Sequence, residues 1–231
     1  MKVNIADLPE KAQQVLKRIR KKYKVGFEPL RIRDVELEIL QVTDLEQLLA
    51  GKDPFADVSS FPFWVKLWEA SLMLADIMAS LPCEPGQTLL ELGAGLGAPG
   101  LVAAARGHKV TLSDYEPHIL DFQRVSAAAN GLTVVDFCMI DWKKPPELAP
   151  FATIIGAEIL FRAEFFEPLL AVFKKYLAPQ GTIYLAHDAR RKSLPAFLDL
   201  AQKEYQVAVS ARKMKSAEGE LTIIINRLRR K

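Results

Sequence analysis

A glycine-rich stretch at residues 88–100 limits the folds that this chain can adopt. An apolar run, Thr88–Leu92, holds a carboxylate at Glu91, and glycines then alternate at positions 93, 95 and 97 before Pro99. Glycine lets the main chain enter conformations that a Cβ atom forbids, and proline suits the first turn of a helix. The stretch therefore predicts a strand, a tight turn and a helix, with a ligand site at the carboxyl end of a parallel strand.

Two kinds of ligand fit this turn. Residues 95–100 match the G-x-G-x-x-G pattern of dinucleotide sites, and Asp114 follows Gly95 by 19 residues, close to the spacing of such sites. Residues 91–97 match instead E-x-G-x-G-x-G, in which Glu91 would repel a pyrophosphate but suits a cation. S-adenosylmethionine carries an ammonium and a sulfonium group and no phosphate, so Glu91 favours this methyl donor over a nicotinamide dinucleotide.

Composition and charge exclude several classes of protein. The chain has 231 residues, half of them apolar, and a net charge of +3, which fits one domain with an N-terminal extension. Basic residues cluster near both ends without interleaved aromatics, so nucleic acid is an unlikely partner. Two cysteines without C-x-x-C spacing and three histidines predict neither a disulfide framework nor a metal site. We expect a cytoplasmic protein that does not enter membranes, because neither a signal peptide nor a long apolar segment is present.

Strands and helices alternate after residue 88, which is typical of a parallel sheet with helices on both faces. The predicted strands are residues 88–92, 109–113, 133–140, 151–156 and 181–187, and the predicted helices are 99–106, 116–130, 164–177 and 192–204. Two further strands, 205–212 and 221–227, are joined by a polar loop too short for a crossover helix, so one of them must run antiparallel. The expected fold is α/β, a Rossmann-like doubly wound sheet of seven strands, mostly parallel.

The domain organisation follows from the same pattern. Residues 1–60 are predicted to form an extension and residues 61–231 the ligand-binding domain. The extension has three predicted elements: a helix that Asp7 caps and that continues toward Gly26, a β-hairpin turning at Arg33-Asp34, and a short helix from Thr43 to near Gly51.

A further helix is predicted at residues 63–81, with its apolar residues close to one face. Packing on the sheet accounts for this face. Trp68 would meet a ligand only if this helix crosses the glycine turn.

Polar or small residues at the carboxyl ends of the later strands are candidate ligand contacts. Asp114 can accept hydrogen bonds from both ribose hydroxyls. Asp141 can accept from the adenine amino group while Trp142 covers the adenine face. Ala157 is small enough to allow close contact with the donor, and Glu158 follows it at the mouth of the site, where a substrate would arrive.

These segments, in this order, resemble the seven-strand protein-lysine methyltransferases. The resemblance covers roughly residues 60–190, and its most specific pieces are the segment around Trp68 and the run Gly156–Phe161. It implies S-adenosylmethionine as methyl donor and a protein with an accessible lysine as acceptor. It also implies that the following residues contact the donor: Trp68, Gly93, Ala94, Gly95, Asp114, Trp142 and Ala157.

The same family carries a D-x-x-Y-like motif after the fourth strand of its sheet, which shapes the acceptor site. This chain has Glu158-x-x-Phe161 instead, so the acid is one methylene longer and the ring lacks the hydroxyl of tyrosine. A carboxylate and an aromatic wall are kept. We therefore predict that Glu158 holds and orients the acceptor amine and that Phe161 steadies the cationic product.

Other functions are compatible with parts of the sequence. Methyl transfer to a small molecule or to nucleic acid is one, although no N-P-P-Y-type run follows the fourth strand of the wound sheet, which argues against adenine or glutamine acceptors. A nicotinamide-binding oxidoreductase and a catalytically silent, donor-binding scaffold are two others. The segment from His187 to Arg191 could line the acceptor channel, but capped loop geometry explains it nearly as well, so it is not included in the predicted site.

Overall fold

A computed structural model describes residues 3–44, 62–84, 86–216 and 219–231. Its helices are α1 Glu10–Arg20, α2 Glu69–Ser80, α3 Ala98–Ala105, α4 Pro117–Ala129, α5 Phe166–Tyr176 and α6 Leu194–Ala201. Its strands are β1 Val25–Ile32, β2 Val35–Val42, β3 Thr88–Glu91, β4 Lys109–Asp114, β5 Val135–Met139, β6 Phe151–Ala157, β7 Leu177–Asp188, β8 Tyr205–Ser216 and β9 Gly219–Arg230.

Seven of these strands form one sheet in the order β5-β4-β3-β6-β7-β9-β8. Neighbours are parallel except that β9 runs antiparallel to both β7 and β8. The chain winds from β3 out to β5 and then returns to the other side of β3 as β6, so the strand order reverses between β3 and β6. Ligands of open α/β sheets bind at such a reversal. The predicted doubly wound, seven-stranded fold is confirmed.

The sheet is buried on both faces. Helices α2, α3 and α4 cover one face in a core that includes Ile155, and helices α5 and α6 cover the other in a core that includes Ile154. Adjacent residues of a strand point to opposite faces, so both residues of this pair are buried. This explains why the central strands lack the apolar–polar alternation of a half-exposed sheet.

The helix predicted at residues 63–81 begins later than the prediction placed it. Phe63–Val65 is a single 3₁₀ turn, and α2 starts only at Glu69. Trp68 has extended backbone (φ −77°, ψ 148°), and its indole N–H donates to the carbonyl of Phe63 at 2.8 Å. Apolar residues at helical spacing also occur in a turn whose aromatic side chains fold back onto it. Apolar spacing alone therefore does not establish a helix. The predicted start was wrong.

The C-terminal hairpin is longer than predicted. Within the segment expected to be a polar loop, residues 213–216 and 219–220 continue the two strands, with Lys213 opposite Thr222 and Lys215 opposite Glu220. The side chains of Lys213 and Glu220 form an exposed ion pair at 2.7 Å. Charged residues suit the exposed positions of this strand pair, because cross-strand ion pairs there replace apolar packing.

The N-terminal helix and hairpin pack on the helices that cover one face of the main sheet. Asp7 lies in a 3₁₀ turn and does not cap α1, which begins after Pro9 and ends at Arg20, short of Gly26; this part of the prediction was wrong. The hairpin turns at Arg33-Asp34 as predicted. The predicted helix from Thr43 to Gly51 and the predicted boundary at residue 60 lie outside the described residues, apart from the first two positions of that helix.

Specific hydrogen bonds hold the hairpin against α4. The amide of Leu40 donates to Ser126 Oγ at 2.9 Å, and Asn130 exchanges two hydrogen bonds of 2.8 Å with the main chain of Glu38. Leu40 belongs to the same core as Leu89 of β3. The extension therefore shares the interior of the main domain.

The described ranges of the chain contain neither a membrane-spanning helix nor a metal-binding cluster. No helix in them is long and apolar enough to cross a membrane. No group of histidine, cysteine, aspartate and glutamate side chains in those ranges is placed to hold a metal ion.

Candidate functional site

The glycine turn after β3 has the backbone that its sequence predicts. Gly93, Gly95 and Gly97 have φ of 58°, 54° and 76°, a left-handed region that other residues rarely adopt. A Cβ atom added to Gly93 would lie 2.9 Å from Cγ2 of Ile159 and 3.7 Å from Cζ2 of Trp142. Bare main chain is thus presented beside the loops that follow β5 and β6.

Glu91 lies beneath this turn. Its side chain is only 2% exposed, and Oε2 accepts a hydrogen bond of 2.8 Å from the amide of Gly100 in α3. Burial raises the pKa of Glu91 to about 8, although the Gly100 hydrogen bond opposes the shift. The observed partner of Glu91 is therefore the first turn of α3, and its predicted contact with a cationic ligand stays a prediction.

Asp114 closes the turn from the end of β4. One carboxylate oxygen accepts from the amide of Gly95 at 2.9 Å and the other from the amide of Tyr115 at 2.7 Å. Burial raises the pKa of Asp114, and the two hydrogen bonds oppose this. From α4, the side-chain amide of Gln123 donates to the carbonyl of Gly95 at 2.8 Å. Gln123 was not predicted from the sequence, because no local pattern marks a residue that acts on a distant loop.

The loop after β5 brings an aromatic ring to the glycine turn. Asp141 accepts from the amide of Lys143 at 2.9 Å, which tightens the loop. The ring of Trp142 packs edge-on against Phe165, with centroids 5.8 Å apart and planes at 90°. A Cβ atom added to Gly93 would lie 3.7 Å from Cζ2 of Trp142. These two residues, which were predicted to contact the same ligand, are therefore neighbours.

Glu158, the residue after β6, has an unusual backbone. Its φ is 56°, and such a conformation in a non-glycine residue costs on the order of 1–3 kcal/mol, so the surroundings must enforce it. Its amide donates to the carbonyl of Ala186 at 2.9 Å, and its Oε1 accepts from the amide of Asp188 at 2.6 Å. Its Oε2 is paired with Nη2 of Arg191. The loop after β7 thus fixes the orientation of this carboxylate.

A cavity of about 190 Å³ opens beside Glu158. It is lined by Lys66, Trp68, Glu69, Ala70, Glu158, Asp188, Arg190, Arg191, Leu221 and Ile223. Two predicted site residues, Trp68 and Glu158, meet here although they are far apart in the chain. Phe161 is not part of the lining; its ring is 48% exposed and lies 6.4 Å from that of Phe165.

The cavity also collects basic residues that were not in the predicted site. Arg190 binds the carboxylate of Asp188 through Nε and Nη2, which lowers the pKa of Asp188. Nζ of Lys66 lies 4.7 Å from the ring centre of Trp68. Asp188 ends the central strand β7 and Arg190 follows it. This place in the sequence was the signal that could have identified both as site residues.

Comparison with known proteins identifies the family. Residues 63–204 match the sequence profile of the lysine methyltransferase family. The chain belongs to this family. The membership confirms the predicted class of enzyme and the resemblance on which it depended, and it argues against a nicotinamide-binding oxidoreductase.

Three relatives illustrate the kinds of methyltransferase that this chain resembles. EEF1A lysine methyltransferase 3 of Mus musculus is 31% identical over 162 residues, 63% of this chain and 69% of that protein. Protein N-lysine methyltransferase METTL21A of Xenopus tropicalis is 29% identical over 148 residues, 62% of this chain and 68% of that protein. Histone-arginine methyltransferase METTL23 of Rattus norvegicus is 41% identical over 112 residues, 46% of this chain and 50% of that protein. The chain thus spans about half the length of METTL23.

Solved structures share the fold at low sequence identity. The ribosomal protein L11 methylase of Lactobacillus delbrueckii subsp. bulgaricus has a TM-score of 0.56 at 21% identity, over 72% of this chain and 81% of that chain. TYW2 of P. horikoshii, solved in complex with MeSAdo, has a TM-score of 0.58 at 15% identity, over 89% of this chain and 71% of that chain.

Proposed function

We propose that this lysine methyltransferase takes its methyl group from S-adenosylmethionine and transfers it to a lysine side chain of a protein. The observation that carries the proposal is the carboxylate of Glu158, fixed in a strained backbone and facing a cavity that Trp68 also lines. Because the cavity lies at the carboxyl edge of the sheet, an acceptor entering it would meet the crevice beside the glycine turn.

The residues around the turn fit the donor. A Cβ at Gly93 would fill space between Ile159 and Trp142, so the bare main chain leaves a cradle for a ligand. We assign the amide of Gly93 to the carboxylate of the donor and Asp114 to its ribose hydroxyls. The amides of Ala94 and Gly95 already donate to Ser113 and Asp114, so these two residues would contact the donor through their exposed main chain. Bound there, S-adenosylmethionine supplies a methyl group on a sulfonium that a nucleophile can displace.

Three further residues complete the assignment. Trp142 would cover the adenine, and Asp141 would accept a hydrogen bond from its amino group. Ala157 ends β6 without a bulky side chain and would allow the donor to approach. We assign Trp68 to the boundary between donor and acceptor, because it lines the cavity that holds Glu158.

Glu158 and Phe161 would act on the acceptor. A direct displacement needs alignment and exclusion of water more than a strong base. The Glu158 carboxylate can accept hydrogen bonds from the remaining N–H groups of a lysine amine and aim its lone pair. Phe161, exposed at the edge of the site, would contact the stem of the lysine and the methylated product.

The proposed acceptor is a lysine because the family is a lysine methyltransferase family. The names of relatives suggest defined probes: translation elongation factor 1A for lysine and histones for arginine. We propose that the protein is cytoplasmic, and cell fractionation checks the compartment.

The test is labelling of a cell lysate, of recombinant elongation factor 1A and of histones with a methyl-tritiated donor, followed by residue-level mass spectrometry. We expect methyllysine in at least one sample with the wild-type chain. Glu158→Gln should bind S-adenosylhomocysteine as tightly as wild type in calorimetry but lose at least about tenfold in turnover.

The controls separate the alternatives. Tight binding of NAD(P)H without binding of S-adenosylhomocysteine would overturn the proposal. Methylarginine, a methylated nucleotide or a methylated small molecule as the sole product would move the acceptor to another class. Donor binding without any labelled product would instead indicate a scaffold.

A further inference from the structure

The guanidinium of Arg191 is paired with the carboxylate that is assigned to the acceptor amine. It is paired with Oε2 of Glu158, whose other oxygen accepts from the amide of Asp188. The side chain of Glu158 is 14% exposed and that of Arg191 36% exposed. The Glu158 carboxylate is therefore already paired with a cation that lines the same cavity.

The charges around Glu158 balance when Arg191 is counted. The charged groups that line the cavity come from the residues before α2, from the start of α2, and from the loops after β6 and β7: Lys66, Glu69, Glu158, Asp188, Arg190 and Arg191. Asp188 is paired with Arg190, and Glu158 with Arg191. Loss of Arg191 alone would leave one uncompensated negative charge, on Glu158.

The chemistry of the reaction makes that balance important. Only an uncharged amine has the lone pair that a displacement at a methyl group requires, yet free lysine has a pKa of about 10.4 and is almost fully protonated near neutral pH. An isolated carboxylate would hold the ammonium form more tightly still. A nearby positive charge acts in the opposite direction, since like charges disfavour protonation.

We propose that Arg191 is a positioning residue that selects the uncharged acceptor amine, by neutralising Glu158 while holding its carboxylate in place. The inference rests on the proposed function, because it assumes that Glu158 binds the acceptor. The proton leaves the ammonium to solvent before or during binding. The nitrogen lone pair then forms the new N–CH₃ bond as the C–S bond breaks and its electron pair stays on sulfur.

The positive charge of Arg191 also acts on a buried neighbour, His187. His187, in β7 beside Asp188, is fully buried. Burial lowers the pKa of His187 to about 3, and the positive charge of Arg191 acts in the same direction. A basic amine that enters the cavity would experience the same cation from the solvent side.

Sinefungin allows a test that needs no methyl acceptor. In this analogue an amine-bearing carbon replaces the methylsulfonium, so an amine that is protonated in water is placed where donor and acceptor meet. S-adenosylhomocysteine is the matched ligand without the amine. The quantity to measure is the ratio of the two dissociation constants, sinefungin over S-adenosylhomocysteine, by calorimetry between pH 7 and pH 9.5.

We expect Arg191→Gln to lower this ratio by about fivefold or more at pH 7, because the ammonium then meets an unopposed Glu158. Arg191→Lys keeps the positive charge and should stay within about twofold of wild type. For wild type the ratio should fall as pH rises and the bound amine loses its proton, and Arg191→Gln should flatten this dependence.

Arg18→Gln is the matched control for net charge, since Arg18 pairs with Asp121 on the exposed surface of α1. Thermal melting verifies that each variant is folded. A ratio unchanged in Arg191→Gln, or lowered equally in Arg191→Lys, would refute the role of Arg191 and leave the methyltransferase proposal intact. A folded wild-type chain that binds neither analogue would overturn both.

Discussion

Two residues at the carboxyl edge of the sheet adopt the left-handed region for different reasons. Gly93 does so beside side chains that leave no room for a Cβ atom, and Glu158 does so under three contacts from β7 and the loop after it. The first leaves space for a ligand, and the second aims a carboxylate. Of these two residues, only Glu158 is strained by this backbone, and such strain tends to be kept at functional sites.

Replacing Gly93 with alanine tests the space above the turn. The added methyl would lie 2.9 Å from Ile159 and would occupy the cradle assigned to the donor. We expect at least a tenfold increase in the Kd of S-adenosylhomocysteine, measured by calorimetry, together with about 1–2 kcal/mol of lost stability from the left-handed backbone.

Gly131→Ala separates strain from space. Gly131 has a φ of 64°, close to that of Gly93, but nothing lies within 4 Å of its added Cβ. It should therefore lose only the stability that the left-handed backbone costs, about 1–2 kcal/mol, while the Kd stays within about twofold of wild type. Equal effects of the two substitutions on the Kd would show that the turn does not hold the donor.

The types of residue at this site could be predicted from the sequence, but the residues that they bond to could not. Glycines, Asp114, Trp142 and Glu158 stand at strand ends, and any parallel sheet collects such positions at one edge. Arg191 and Gln123 come from other elements, and only the folded chain shows that they bond to Glu158 and Gly95. Charge patterns along a chain do not reveal which opposite charges meet.

At the scale of elements, the hairpin β1–β2 is packed into the main domain. Its strand β2 gives Leu40 to the common core and its amide to a serine of α4. The local signals were sufficient to predict the hairpin, because period-2 alternation and a turn are short-range features. Its docking position was not predictable, since a hydrogen bond between residues 86 positions apart has no local pattern.

Ser126→Ala tests how firmly the hairpin is docked. Ser126 is fully buried, accepts from the Leu40 amide at 2.9 Å and donates to the carbonyl of Phe122 at 3.0 Å. Its loss leaves a buried N–H without an acceptor, which costs about 1–3 kcal/mol. Urea unfolding should report this decrease, and hydrogen exchange at Leu40 should accelerate.

Ser80→Ala provides the comparison, because Ser80 Oγ donates to the carbonyl of Ile77 at an exposed helix end. It should change stability by less than about 0.5 kcal/mol. If Ser126→Ala were equally mild, the hairpin would be held by apolar contacts alone.

At the scale of the whole molecule, two buried groups should shape the dependence of stability on pH. The raised pKa of Glu91, about 8 against 4.5, gives stability that is complete below about pH 4.5 and is lost as pH rises through 8. The lowered pKa of His187, about 3 against 6.5, gives stability that is complete above about pH 6.5 and is lost as pH falls toward 3. Together they predict a maximum between about pH 4.5 and 6.5.

Glu91→Gln and His187→Leu should remove the two limbs separately. Between pH 5 and 8 the unfolding free energy of Glu91→Gln, relative to wild type, should rise by roughly 2–4 kcal/mol, because glutamine has no proton to lose on unfolding. His187→Leu should gain relative to wild type as pH falls from 6.5 to 4. Glu36→Gln, which alters an exposed carboxylate, should show neither trend.

The double variant decides whether these two groups act independently. β6 lies between β3, which ends at Glu91, and β7, which carries His187, so two strand spacings of about 4.8 Å separate the residues across the sheet. Effects at sites this far apart usually add. The double variant should therefore have an unfolding free energy nearly flat from pH 4.5 to 8 by urea titration. A steep alkaline decline that persists in the double variant would show that groups other than Glu91 and His187 set this limb.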